Sequence, residues 1–117
     1  MANKKRIDNT LILRNQKEES AFGIKNLNLY AYMDDRTLKV IGEIRADKVI
    51  ENYYFLCTAY DEDGDIIASH ENKSYGGSGL VTNRIKAKSF YDGFPFEINV
   101  SIPDKTTLGK IRIEPKR

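Results

Sequence analysis

The sequence predicts an all-β fold, a two-sheet antiparallel sandwich of about seven strands. Three observations carry that expectation. Apolar residues recur at every second position over most of the chain, the period of a half-buried strand. Turn-forming residues interrupt the pattern at spacings of roughly ten residues, the rhythm of a sandwich. No stretch sustains a helical apolar stripe over the ~11 residues that would argue for a helix.

The strands follow in order. Ile24 to Met33 alternates Leu27, Leu29, Ala31 and Met33 with Asn26, Asn28, Tyr30 and Tyr32, and Asp34-Asp35-Arg36 turns the chain. Thr37 to Asp47 places Leu38, Val40, Gly42, Ile44 and Ala46 on one face and Lys39, Glu43 and Arg45 on the other. A glycine inside a strand signals a bulge or the close approach of another backbone, which is the expectation for Gly42. A third strand over about 50–60 and a fourth over about 65–72 flank the acidic turn Asp61-Glu-Asp-Gly-Asp65, a hairpin in sequence form. The glycine-rich loop 73–79 leads to an expected fifth strand over 81–90. Phe96 to Ile102 forms a sixth, and Thr106 to Ile113 a seventh that Pro115 should stop. Each strand has one apolar face, so two sheets must bury those faces against each other. Uneven strand lengths and irregular glycines favour an immunoglobulin-like sandwich over a closed barrel.

Length and composition limit the rest. The 117 residues suit one domain, placed over 21–117, with residues 1–20 read as a polar, flexible arm. Nineteen basic and seventeen acidic residues leave a formal charge of +2, with the signs interleaved along the chain. Such mixing gives no strong field, which argues against phosphate-driven nucleic-acid binding. Cys57 is the only cysteine and suits a reducing compartment. Lys4-Lys5-Arg6 is followed by only a short apolar patch, too little for an export signal. No segment approaches the ~18 apolar residues of a membrane span. The expectation is a soluble chain, cytoplasmic as it stands, or exported with a leader already removed.

The segment from Val40 to Ile102 resembles the bacterial FxLYD-type domains, small immunoglobulin-like sandwiches found mainly in exported or surface-attached proteins. The matching elements are Val40-Ile-Gly-Glu-Ile44, Cys57-Thr-Ala-Tyr-Asp61, Asp63-Gly-Asp-Ile-Ile67 and Phe94-Pro-Phe-Glu-Ile98. Cys57 stands where the motif has phenylalanine and Ala59 where it has leucine, so Tyr60-Asp61 is what remains of the motif. The resemblance spans roughly 60 residues by strand pattern. It implies a non-catalytic accessory or interaction module.

Three places carry candidate chemistry. Asp61, Asp63 and Asp65 put carboxylates at alternate positions, as a calcium loop does at its first, third and fifth ligands. The flanking strands favour the alternative, a solvated turn in which Asp61 bonds its own backbone and Gly64 adopts positive φ. Cys57 and His70, the only histidine, fall nearly opposite each other across the hairpin. A dyad needs an activated thiolate, whereas a thiol in an apolar strand is inert, so no enzyme is expected. Tyr75, Phe90, Tyr91 and Phe94 lie in or beside loops. Exposed together they would form an interaction site, and buried they would plug the core. Tyr30, Tyr32, Tyr53 or Tyr54 could decorate an outer sheet face. The expected function is a non-catalytic binding or structural module acting on a protein partner through loops 73–79 and 91–95, or through an exposed edge strand that also permits weak self-association. No cofactor is expected beyond the calcium alternative.

Overall fold

The computed structural model describes residues 4–47, 51–72, 81 and 87–117. Among them are eight strands: β1 (Lys4–Arg6), β2 (Ile12–Arg14), β3 (Ile24–Asp34), β4 (Thr37–Ala46), β5 (Tyr54–Asp61), β6 (Ile66–Glu71), β7 (Phe94–Ser101) and β8 (Leu108–Lys116). One short helix, α1 (Gln16–Ala21), lies between β2 and β3. The strands make two sheets of four, ordered β1-β3-β4-β7 and β2-β8-β5-β6, packed face to face. The chain crosses from the first sheet to the second after β4, returns for β7, and crosses again for β8. Because β4 pairs with β7 and β5 with β8, the two crossings interlock the sheets.

The alternating residues build the interface between the layers. Leu38, Val40, Ile44 and Ala46 of β4 are buried, as are Ile98 and Val100 of β7 and Ile111 and Ile113 of β8. Phe55 of β5 and Phe96 of β7 stack across the gap, with centroids 4.4 Å apart and planes 7° from parallel. Gly42 explains how the ring fits. It pairs with Leu29 on one side and Phe96 on the other in continuous register, and a Cβ there would overlap the Phe96 ring. Gly42 therefore marks the approach of an aromatic side chain, rather than the bulge or backbone contact expected of it.

Other expectations need correction. Of the strand expected over 81–90, Val81 makes an isolated bridge to Tyr53, and Ala87–Phe90 is a 3-10 turn. The intervening residues 82–86, like the loop 73–79, lie outside the described residues. Pro115 does not stop β8, which runs to Lys116 with Pro115 buried opposite Phe55. The Phe55 backbone is turned towards Asn72, accepting from its N–H and donating to its Oδ1. The Phe55–Pro115 pair is then a non-hydrogen-bonded one, and the proline nitrogen faces the side that β2, paired only as far as Ile113, has left open.

Residues 4–20 belong to the sandwich rather than to an arm. β1 adds to the first sheet beside β3, and β2 adds to the second beside β8, in parallel. That parallel pair is the exception to an otherwise antiparallel set. Ile7 and Ile12 close the gap between the two edge strands. The Asp8 carboxylate accepts from the Thr10 N–H and hydroxyl, a cap that holds its pKa below the usual value. Arg14 grips Glu19 of α1 through Nε (3.1 Å) and Nη2 (2.6 Å), and Glu19 is buried. A bidentate pair of this kind supplies orientation as well as attraction. On the opposite side, β6 and β7 are the open edges.

Gly42→Ala should cost about 1–3 kcal/mol in chemical denaturation, because the added methyl displaces a packed ring. Phe96→Leu in the same chain should recover part of that loss, a coupling read from the double-mutant cycle.

Candidate functional site

The acidic turn is a capped hairpin. Asp61 Oδ1 accepts from the backbone N–H groups of Asp63 and Asp65, both at 2.9 Å, and Gly64 takes φ +89°. The carboxylate nearest the strand is thus used on its own backbone. Among the described residues, no three His, Cys, Asp or Glu side chains are grouped to hold a metal ion.

Cys57 and His70 are direct partners in the β5–β6 register, as the hairpin predicts. Cys57 is fully buried, and desolvation pushes its thiol from 9.0 up to about 12. His70 lies on the exposed edge strand, and no side-chain hydrogen bond joins the two. The pair has register without activation: a thiol that stays protonated is a poor nucleophile.

Among the described residues, the loop aromatics Phe90, Tyr91 and Phe94 do not assemble into one exposed patch. Phe90 is buried and packs against the half-buried Phe94, ring centroids 5.4 Å apart, so both close the core. Tyr91 alone of the three reaches solvent freely, its carbonyl accepting from Arg45 Nη1 at 3.4 Å. Tyr75 lies outside the described residues.

A denser aromatic surface lies on the outer face of the first sheet. Tyr30 and Tyr32 project there because they are out of phase with the buried Leu27 and Ala31. Their rings lie 5.8 Å apart, and Tyr30 faces Ile41 across the β3–β4 ladder. Tyr30 and Ile41 are 42% and 43% exposed, well above what sheet residues in a core show. Cations line this patch. The Arg6 guanidinium lies 4.9 Å from the Tyr30 ring centre, the Lys4 ammonium 5.7 Å from that of Tyr32, and Lys39 pairs with Tyr32 from β4. Such distances are those of cation–π contact. The tyrosines are legible in the alternation. Lys4 and Arg6 are not, because nothing local in residues 4–6 shows that they pair with β3.

No protein-family model, curated protein or solved structure matches this chain. No helix among the described residues is long and apolar enough to cross a membrane.

Two outcomes follow from these sites. Asp61→Ala should lower stability by about 1 kcal/mol through the lost turn bonds, and calcium should leave the melting temperature of both proteins unchanged, since a bound ion would raise it. The Cys57 thiol should resist mild alkylation in the native state. Its folded pKa lies above its unfolded one, so its contribution is complete below pH 9.0 and is lost as pH rises towards about 12. Burial raises Tyr53 as well, which adds to the same alkaline loss. Denaturation at stepped alkaline pH, compared with Cys57→Ala, separates the two groups.

Proposed function

We propose that this chain is a non-catalytic binding module on an immunoglobulin-like sandwich, and that it docks a protein partner on the outer face of its first sheet. One observation carries the reading: exposed Tyr30 and Ile41 face each other beside half-buried Tyr32, with Lys4, Arg6 and Lys39 at the border. Tyrosine and arginine are the residues that dominate protein interfaces, since they combine apolar area with directional polar groups. Lys4, Arg6 and Lys39 outnumber Asp34 on the β1 side of the patch, where an acidic partner surface would fit, while Glu97 stands opposite Ile41 on the other side. The interlocked pairing of β4 with β7 and β5 with β8 supports the immunoglobulin-like reading. The FxLYD-type resemblance supports the same module class, in a bacterial setting.

A photo-crosslinker placed at Ile41 tests this in the source cell. The expected result is one discrete adduct that weakens with rising ionic strength and disappears when Arg6→Ser and Tyr30→Ser are combined. Both sites are exposed, so the variant should keep the wild-type stability to within about 0.5 kcal/mol per substitution. A crosslinker at Lys105, on the β7–β8 connection, should give no such adduct. Adducts from Lys105 with none from Ile41 would place recognition elsewhere.

A further inference from the structure

At the end of the sandwich where β3 turns into β4, a cleft of about 320 Å³ opens between the first sheet and the start of β8. Its floor is apolar, made by Ile7, Met33, Ile102 and Leu108. Its walls are held in place. Arg36 Nη2 donates to the Pro103 carbonyl and to Thr106, while Asp104 lies 3.7 Å from Nε, so the β7–β8 connection is clamped to the β3–β4 turn. The Ile102 N–H donates to the Arg36 carbonyl at 2.8 Å, which fixes the base of the same connection.

Two further charges line the cleft, Lys5 and Asp35, and they have opposite sign. Arg36 is committed through Nη2 to the β7–β8 connection and through its ion pair to Asp104, although its buried Nε makes no hydrogen bond. Lys5 and Asp35 make no ion pair with each other or with any other described residue. The backbone accounts for both positions. Lys5 pairs with Met33, so its side chain leaves the strand on the cleft side, the inward face of an edge strand. Asp35 follows two residues later in the turn, with φ +57°. Both residues therefore line the same cleft, Lys5 from β1 and Asp35 from the β3–β4 turn.

We infer that this cleft binds a small apolar α-amino acid as its zwitterion, the carboxylate on Lys5, the ammonium on Asp35 and the side chain against the apolar floor. A cavity at the small end of the ligand-site range suits a metabolite rather than a polymer. An apolar floor with one unpaired cation and one unpaired anion matches a molecule that carries both charges beside a hydrocarbon group. A simple fatty carboxylate would leave Asp35 as a like charge, and an alkylamine would do the same with Lys5. The site lies on the opposite face of β1 and β3 from the tyrosines, and its test does not depend on theirs.

L-Leucine is the probe, with N-acetyl-leucine and leucinamide as analogues lacking one charge each. Titration followed by backbone and methyl NMR should show saturable shifts at Met33, Ile102 and Leu108 with leucine. Both analogues should bind at least tenfold more weakly, about the loss of one charge-assisted hydrogen bond. Lys5→Gln should weaken leucine binding and abolish the preference for leucine over leucinamide. Asp35→Asn should abolish the preference over N-acetyl-leucine, and asparagine tolerates the same positive φ, so the turn is kept. No saturable shift at the floor residues overturns the inference. So does equal binding of leucinamide, or a Lys5→Gln protein that binds leucine like the wild type.

Discussion

The stacked pair Phe55 and Phe96 is the contact on which the other layers of this structure depend. It joins the central β5 of one sheet to the edge strand β7 of the other, at 4.4 Å between ring centres. Its geometry requires Gly42, since any side chain on that strand position would occupy the volume of the Phe96 ring. A flat ring over a glycine sets how closely the sheets approach and fixes the register of β4 with β7. Tyr53 extends the contact, meeting Phe55 edge-on at 5.8 Å and Phe22 at 5.3 Å, so one aromatic row runs towards the α1 end of the sandwich. Offset and edge-on pairs are favourable beyond their buried area.

The opening residues do for the open side what the aromatic row does for the centre. β1 and β2 belong to different sheets, so the short path between them closes the sandwich along one side, and the Arg14–Glu19 pair holds α1 against it. Edge strands left bare invite pairing with other chains, and short, cationic strands are one way of covering them. The same device has consequences for function. It carries Lys4 and Arg6 to the tyrosine face and Lys5 to the cleft, one strand supplying charge to both sides of the first sheet.

The acidic turn and the cysteine–histidine pair show how much the chemistry of a spacing depends on its surroundings. Alternate carboxylates resemble a calcium loop, yet Asp61 is committed to two backbone amides. Cys57 and His70 are true neighbours in register, yet burial pushes the thiol towards its protonated form and no side-chain hydrogen bond links them. In both places backbone bonding and burial, which spacing does not reveal, set what the side chains are free to do.

Period-two alternation was enough to find β3, β4 and β7 with one-sided burial, and the acidic turn marked the β5–β6 hairpin, which together imply a two-layer sandwich. Side-chain direction follows strand phase within a single segment, so these features need no knowledge of partners. The same pattern misled over Ala87–Phe90, a 3-10 turn, and over Tyr53, which is buried rather than on an outer face like Tyr30. What a strand lies beside is non-local, and only the tertiary structure decided it. Residues 4–14 are too short and polar to read as strands until β3 and β8 supply the hydrogen bonds. Pro115 reads as a terminator until the missing neighbour on its nitrogen side is known. Gly42 could be noticed in the chain, but the ring it makes room for lies more than fifty residues away, and so does the loop that completes the cleft beside Lys5 and Asp35.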